Sequence, residues 1–178
     1  MSGFYEVGPL RQVAINLFYG WGYNFYRQEN QLRADDQLVR AKAAGLLGAA
    51  RAAVETAESA YRRAHIPPLS RANPLPDPAA VAGAQALERL SKGVGALEGR
   101  LHSAPVPEND RMTQRYRQEA ATLAALGEVD QDLIGQAELL RSLIDGRSGE
   151  AILEGIAELE QGLAVIAETL RKRQGMLS

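Results

Sequence analysis

Leucine, isoleucine and valine recur along this chain at alternating intervals of three and four residues. That spacing sets apolar side chains on one side of an α-helix. The pattern is clearest near the C-terminus, where Ile152, Ile156, Leu159, Leu163, Ile166 and Leu170 share one stripe. Leu87, Leu90, Val94, Leu97 and Leu101 form a second. Met112, Tyr116, Leu123, Leu126, Leu133, Ala137, Leu140 and Ile144 form a third. A fourth, Phe25, Leu32, Val39, Leu46, Ala53 and Ala60, repeats every seven residues. Beside it runs a ladder of small residues, Ala41, Gly45, Ala49, Ala53 and Ala57, which would let a neighbouring backbone approach closely.

Proline and glycine divide these stripes. Pro67, Pro68, Pro74, Pro76 and Pro78 mark one stop, Pro105 and Pro107 a second, and Asp145 to Gly149 a third. Asp77 followed by Pro78 is a start signal, because aspartate caps a helix and proline fits its first position. Ser148 caps the last segment, with Glu150 in its first turn, and Gly146 supplies a left-handed stop. Gly127 is a place where the third segment could kink. The pattern predicts helices over 23–64, 78–102, 108–145 and 148–174. The fold class is all-α: an antiparallel up-down bundle of about four long helices with a short aromatic-rich N-terminal helix. Residues 1–22 form the N-terminal segment and 23–178 one bundle domain.

Composition narrows the function classes. The chain has 178 residues, 46% of them hydrophobic and 24% charged, as expected of a folded domain. Formal net charge is −2, which provides no general attraction to nucleic acid. Cys is absent, so no disulfide or thiolate metal site exists. No stretch reaches the length a membrane-spanning helix needs, and the first residues lack the basic character of a signal peptide. A cytoplasmic location is the default expectation.

The aromatic residues are unevenly spread. Phe4, Tyr5, Phe18, Tyr19, Trp21, Tyr23, Phe25 and Tyr26 lie near the start, and only Tyr61 and Tyr116 lie beyond. One reading is an intramolecular cap on the bundle. Another is a contact surface for a second copy or a protein partner, carried by Phe18, Tyr19, Trp21, Tyr23, Phe25 and Tyr26. A third is a membrane-surface anchor over residues 4–26, for which Arg11 is a thin basic complement.

Chemistry-bearing patterns are sparse. Glu29 and Asp36 fall on the apolar side of the first long helix and are the only pair suggesting a metal or ligand site. A di-metal bundle needs Glu-x-x-His, and neither His65 nor His102 has an acid three positions before it. Pairing of Glu29 with Arg33 and of Asp36 with Arg40 explains those acids more simply. Glu150, Glu154 and Glu158 read as a solvated face, with Arg111 and Arg115 as the alternative partner row. His65 and His102 suit helix C-termini. Arg111, Arg115 and Arg117, or Arg171 to Arg173, are the patches that could meet phosphate, but acids are interspersed among them. The expectation is a non-enzymatic, self-associating interaction or structural module without cofactor. A ligand- or metal-binding bundle near Glu29 and Asp36 is the alternative, and membrane association the second.

Overall fold

A computed structural model describes residue 4 and residues 7–19, 32–71, 74–104 and 119–177. The described residues form six helices: α1 (Val7–Tyr19), α2 (Leu32–His65), α3 (Pro78–Ser103), α4 (Glu119–Ile144), α5 (Gly149–Glu154) and α6 (Ile156–Leu177). The all-α reading is therefore the fold. The starts predicted near 23 and 108 lie outside the described residues.

The local signals act as their chemistry requires. The Asp77 carboxylate accepts from the backbone N–H groups of Ala79 and Ala80, both at 3.2 Å, and Pro78 opens α3. The Ser148 hydroxyl oxygen accepts from the Ala151 N–H at the start of α5. Gly146, at φ 69°, ends α4 in the left-handed region that a side chain would disfavour. Gly127 does not break α4, which runs through it. The interruption falls instead at Gly155, between α5 and α6. There the N–H of Gly155 bonds to the Ile152 carbonyl, a tight three-residue turn, and Leu159 resumes the helix on the Gly155 carbonyl. The segment expected as one helix is thus two, in line.

Two helical hairpins build the core. In the first, α3 returns antiparallel along α2: Arg62 faces Glu88, Glu55 faces Ser91, and Arg40 reaches the end of α3. In the second, α6 returns along α4, bringing Arg173 to Asp130. The hairpins lie side by side, with α2 packed on α4 and α3 on α6. Both of those contacts run parallel. The Gly83 and Gly93 positions of α3 meet Leu153 and Leu163, and the end of α2 meets the start of α5. Helix directions alternate along the chain, yet α3 packs on α6 rather than chiefly on α4.

The apolar stripes face inward. Leu87, Leu90, Val94, Leu97 and Leu101 of α3 are buried, as are Leu126, Leu133, Ala137, Leu140 and Ile144 of α4. Ile152, Leu159, Ile166 and Leu170 join them, with Ile156 and Leu163 partly buried against the core. Each such Leu or Ile contributes about 1.5–3 kcal/mol when fully removed from water. The small-residue ladder of α2 behaves differently. Ala41, Gly45 and Ala49 are exposed, whereas Val39, Ala43, Leu47, Ala50, Val54 and Ala57 are buried. A four-residue step overshoots one helical turn by ~40°, so the ladder winds around α2. It starts on the open side and turns inward at Ala53 and Ala57, while the buried track follows steps of three and four.

Helix α1 lies on α4. The Leu10 carbonyl sits so close to Gly135 that a Cβ there would collide with backbone. The Phe4 ring, 1% exposed, sits against Gly162 of α6 in the same way. Arg11 binds Asp132 and Glu128, each at 3.2 Å. Gly135→Ala should force α1 away and cost ~1–3 kcal/mol. Gly45→Ala, with nothing within 4 Å of the added carbon, should instead stabilise by ~0.5–1 kcal/mol. Urea unfolding of the two variants checks both signs.

Candidate functional site

Three polar constellations stand out among the described residues. The first lies between α2 and α3, whose outward sides carry Arg51, Glu55, Glu58, Glu88, Ser91 and Lys92 along an open groove of about 470 Å³. Helical spacing sets these groups three or four residues apart on each helix, so acids meet bases within and across the hairpin. Arg51 donates to Glu55 at 2.8 Å and lies 3.6 Å from Glu98. Ser91 donates to Glu55 at 3.1 Å. Arg62 bridges Glu58 and Glu88, and Lys92 donates to Glu88 at 2.7 Å. The Arg51 guanidinium holds the Glu55 carboxyl below its usual range, with the Ser91 hydroxyl assisting, and Lys92 does the same for Glu88. The groove's charges are directed at one another, which suits a solvated hairpin surface.

The second gathers at the end where α2 finishes and α5 begins. Tyr61 and His65 stack with ring centroids 4.4 Å apart. His65 Nε2 meets the Glu150 carboxylate at 2.5 Å. The Tyr61 ring fills the space beside Gly83 and Gly149, so α2, α3 and α5 converge on it. The bond from His65 lowers the Glu150 pKa from 4.5 to about 2, with its own backbone N–H and Ser148 assisting. This cluster links the two hairpins electrostatically as well as by packing. Glu150 has a role that a plain solvated stripe does not express, while Glu154 and Glu158 are exposed.

The third is buried. Arg173, 2% exposed, donates from Nε to an oxygen of Asp130 at 2.5 Å, and Asp130 is 0% exposed. Arg173 continues the series Ile152, Leu159, Ile166 at seven-residue steps, so helix geometry turns it into the seam between α6 and α4. This corrects the reading of Arg171 to Arg173 as a phosphate-facing patch. Arg171 pairs with Glu168 at 2.5 Å on the surface, and Arg173 is committed inside. Near the other end of α2, Arg40 is also largely buried and donates to the Ala104 carbonyl at 2.8 Å and the Leu101 carbonyl at 3.5 Å. It satisfies carbonyls at the end of α3 that the helix leaves unpaired.

Of the residues singled out by sequence, Trp21, Tyr23, Phe25, Tyr26 and Glu29 lie outside the described residues, as do Arg111, Arg115 and Arg117. Phe18, Tyr19 and Asp36 fall on described helical backbone only. Phe4 is buried against α6 and so is not free to enter a lipid surface. Among the described residues no group of three or more His, Asp or Glu is arranged to hold a metal ion, and no helix is long and apolar enough to cross a membrane.

Two outcomes follow. Arg173→Met removes the guanidinium from the buried Asp130 carboxylate and should cost about 3–5 kcal/mol, whereas Asp130→Leu with Arg173→Met should recover most of that loss. Chemical denaturation of the single and double variants measures it. Because the folded Glu150 pKa lies below the ordinary glutamate value of about 4.5, its stabilisation is present above about pH 4.5 and disappears as pH falls toward about 2. Thermal melts across that window should show a shallower acid slope for Glu150→Gln than for the parent chain.

No family model, curated protein or solved structure matches this chain.

Proposed function

We propose that this chain is a non-enzymatic interaction module that associates with copies of itself. The observation that carries the reading is the open side of α2. Leu38 is 47% exposed, and Ala41, Gly45, Ala49 and Ala52 are exposed in register behind it. Gly45 has nothing within 4 Å of the position a Cβ would take. A helix face of alanine and glycine ending in a leucine gains little from water. It also has almost no side-chain freedom to lose when another surface covers it. The aromatic run from Phe18 to Tyr26 precedes this face in sequence and is rich in the residue types that anchor contacts. The buried core, in contrast, is filled by the chain's own Leu, Ile, Val and Ala side chains.

Size-exclusion chromatography with light scattering tests the proposal on the full chain. The expected result is a dimer or higher oligomer. Gly45→Glu with Ala49→Glu places charge on the open face without touching the core, and should yield a monomer that keeps the parent's helical content and a cooperative melt. Replacement of Trp21, Tyr23 and Tyr26 by Ala should weaken association in the same assay. A parent chain that stays monomeric throughout the accessible concentration range sinks the reading.

A further inference from the structure

We infer that the surface of α4 and α6 that holds α1 is an exchangeable docking site, filled by the α1 of a second copy when two chains associate. The inference rests on the self-association reading and names the segment that is traded.

The site is shaped for this helix. Gly135 admits the Leu10 backbone where any side chain would collide, and Gly162 admits the Phe4 ring. Asp132 and Glu128 lie about one and two turns before Gly135 on the same helix and receive Arg11 at 3.2 Å each. An aromatic ring, then a leucine and an arginine side by side, is therefore what the surface recognises. Leu10 and Ala14 are buried on it.

The helix that fills it is short and belongs to neither hairpin. Helix α1 has 13 residues, about the length at which an isolated helix is marginal in water. Its far side, including Gly8, Pro9, Gln12, Val13 and Asn16, is exposed. Such an element opens more readily than the hairpins beneath it.

Nothing in the docking chemistry ties α1 to its own chain. The site belongs to the second hairpin, whereas α1 is joined in sequence to α2 of the first. The intervening residues 20–31 span up to roughly 40 Å at ~3.3–3.6 Å per residue. A copy whose α2 begins within that distance can present the same Phe4, Leu10 and Arg11 to the same glycines and acids. Exchange then conserves every contact and adds a connection between chains, in a two-fold arrangement that closes on itself.

The parent sequence contains no Cys, so the test uses engineered thiols. Full-length chain with Arg11→Cys is mixed with full-length chain carrying Glu128→Cys and treated with a short bismaleimide. The expected product is a covalent pair of chains in the mixture, well above either variant alone. A single chain bearing both substitutions sets the yield of full occupancy. Adding Gly135→Ala to the Glu128→Cys partner should cut the paired product about tenfold or more, since it closes the site. A dimer by light scattering without cross-linked pairs overturns the exchange and leaves self-association standing. A linked yield indifferent to Gly135→Ala also overturns it. A monomer at all concentrations overturns both.

Discussion

The ion pair between Arg173 and Asp130 sets the terms for the second hairpin. Both groups are withdrawn from water, and each would be costly to bury without the other. A slide of α6 along α4 by one turn would move the guanidinium away from this carboxylate and break a charge-assisted bond in the interior. Apolar seams tolerate such slides more readily, because leucine packs on leucine with little regard to partner. The pair therefore fixes the axial position of α6, and with it the place where Leu159, Ile166 and Leu170 enter the core. The burial of Phe4 depends on the same position, since Gly162 must lie where the ring arrives.

The two hairpins meet through parallel contacts, and the joint is closed at one end by Tyr61, His65 and Glu150. Packing and charge act together there. Tyr61 is partly buried against the core, and the His65–Glu150 bond spans from α2 to α5 across the joint. The bond is exposed, so its value lies more in orientation than in stability. Position of the joint comes from the apolar residues beneath it, Leu87 and Leu153 among them.

The helices and their inward faces were legible because a three-and-four spacing of apolar residues has one simple physical reading. Caps were legible too: Asp77, Ser148 and Gly146 act through their own backbone surroundings, a few residues away. Contacts between distant residues were harder. Asp130 lies between Leu126 and Leu133, where the α4 stripe needs an inward residue, and Arg173 lies seven beyond Ile166. Two opposite charges at seam positions are a visible signal, but composition drew attention to the neighbouring cations instead. Gly135 and Gly162 carry no such signal. Their need for a missing Cβ arises only when Leu10 and Phe4 arrive from far along the chain. The small-residue ladder on α2 was legible only in part: Ala53 and Ala57 turn to the core, whereas Ala41, Gly45 and Ala49 stay open, because small residues permit close approach but do not demand it.

Helix α4 is covered by α1, α2 and α6, and buries even Gly127, Gly135 and Gln136. Helix α2 is covered by α3, α4 and α5, and its remaining side divides in two. One part carries Arg51, Glu55, Glu58 and Arg62, whose charges are matched and which lose hydration if covered. The other carries Leu38, Ala41, Gly45, Ala49 and Ala52, with little hydration to lose and few rotamers to freeze. A partner approaching α2 therefore meets a steep difference in desolvation between adjacent strips of one helix. Covering the Ala–Gly strip costs little desolvation, and covering the charged strip beside it costs more.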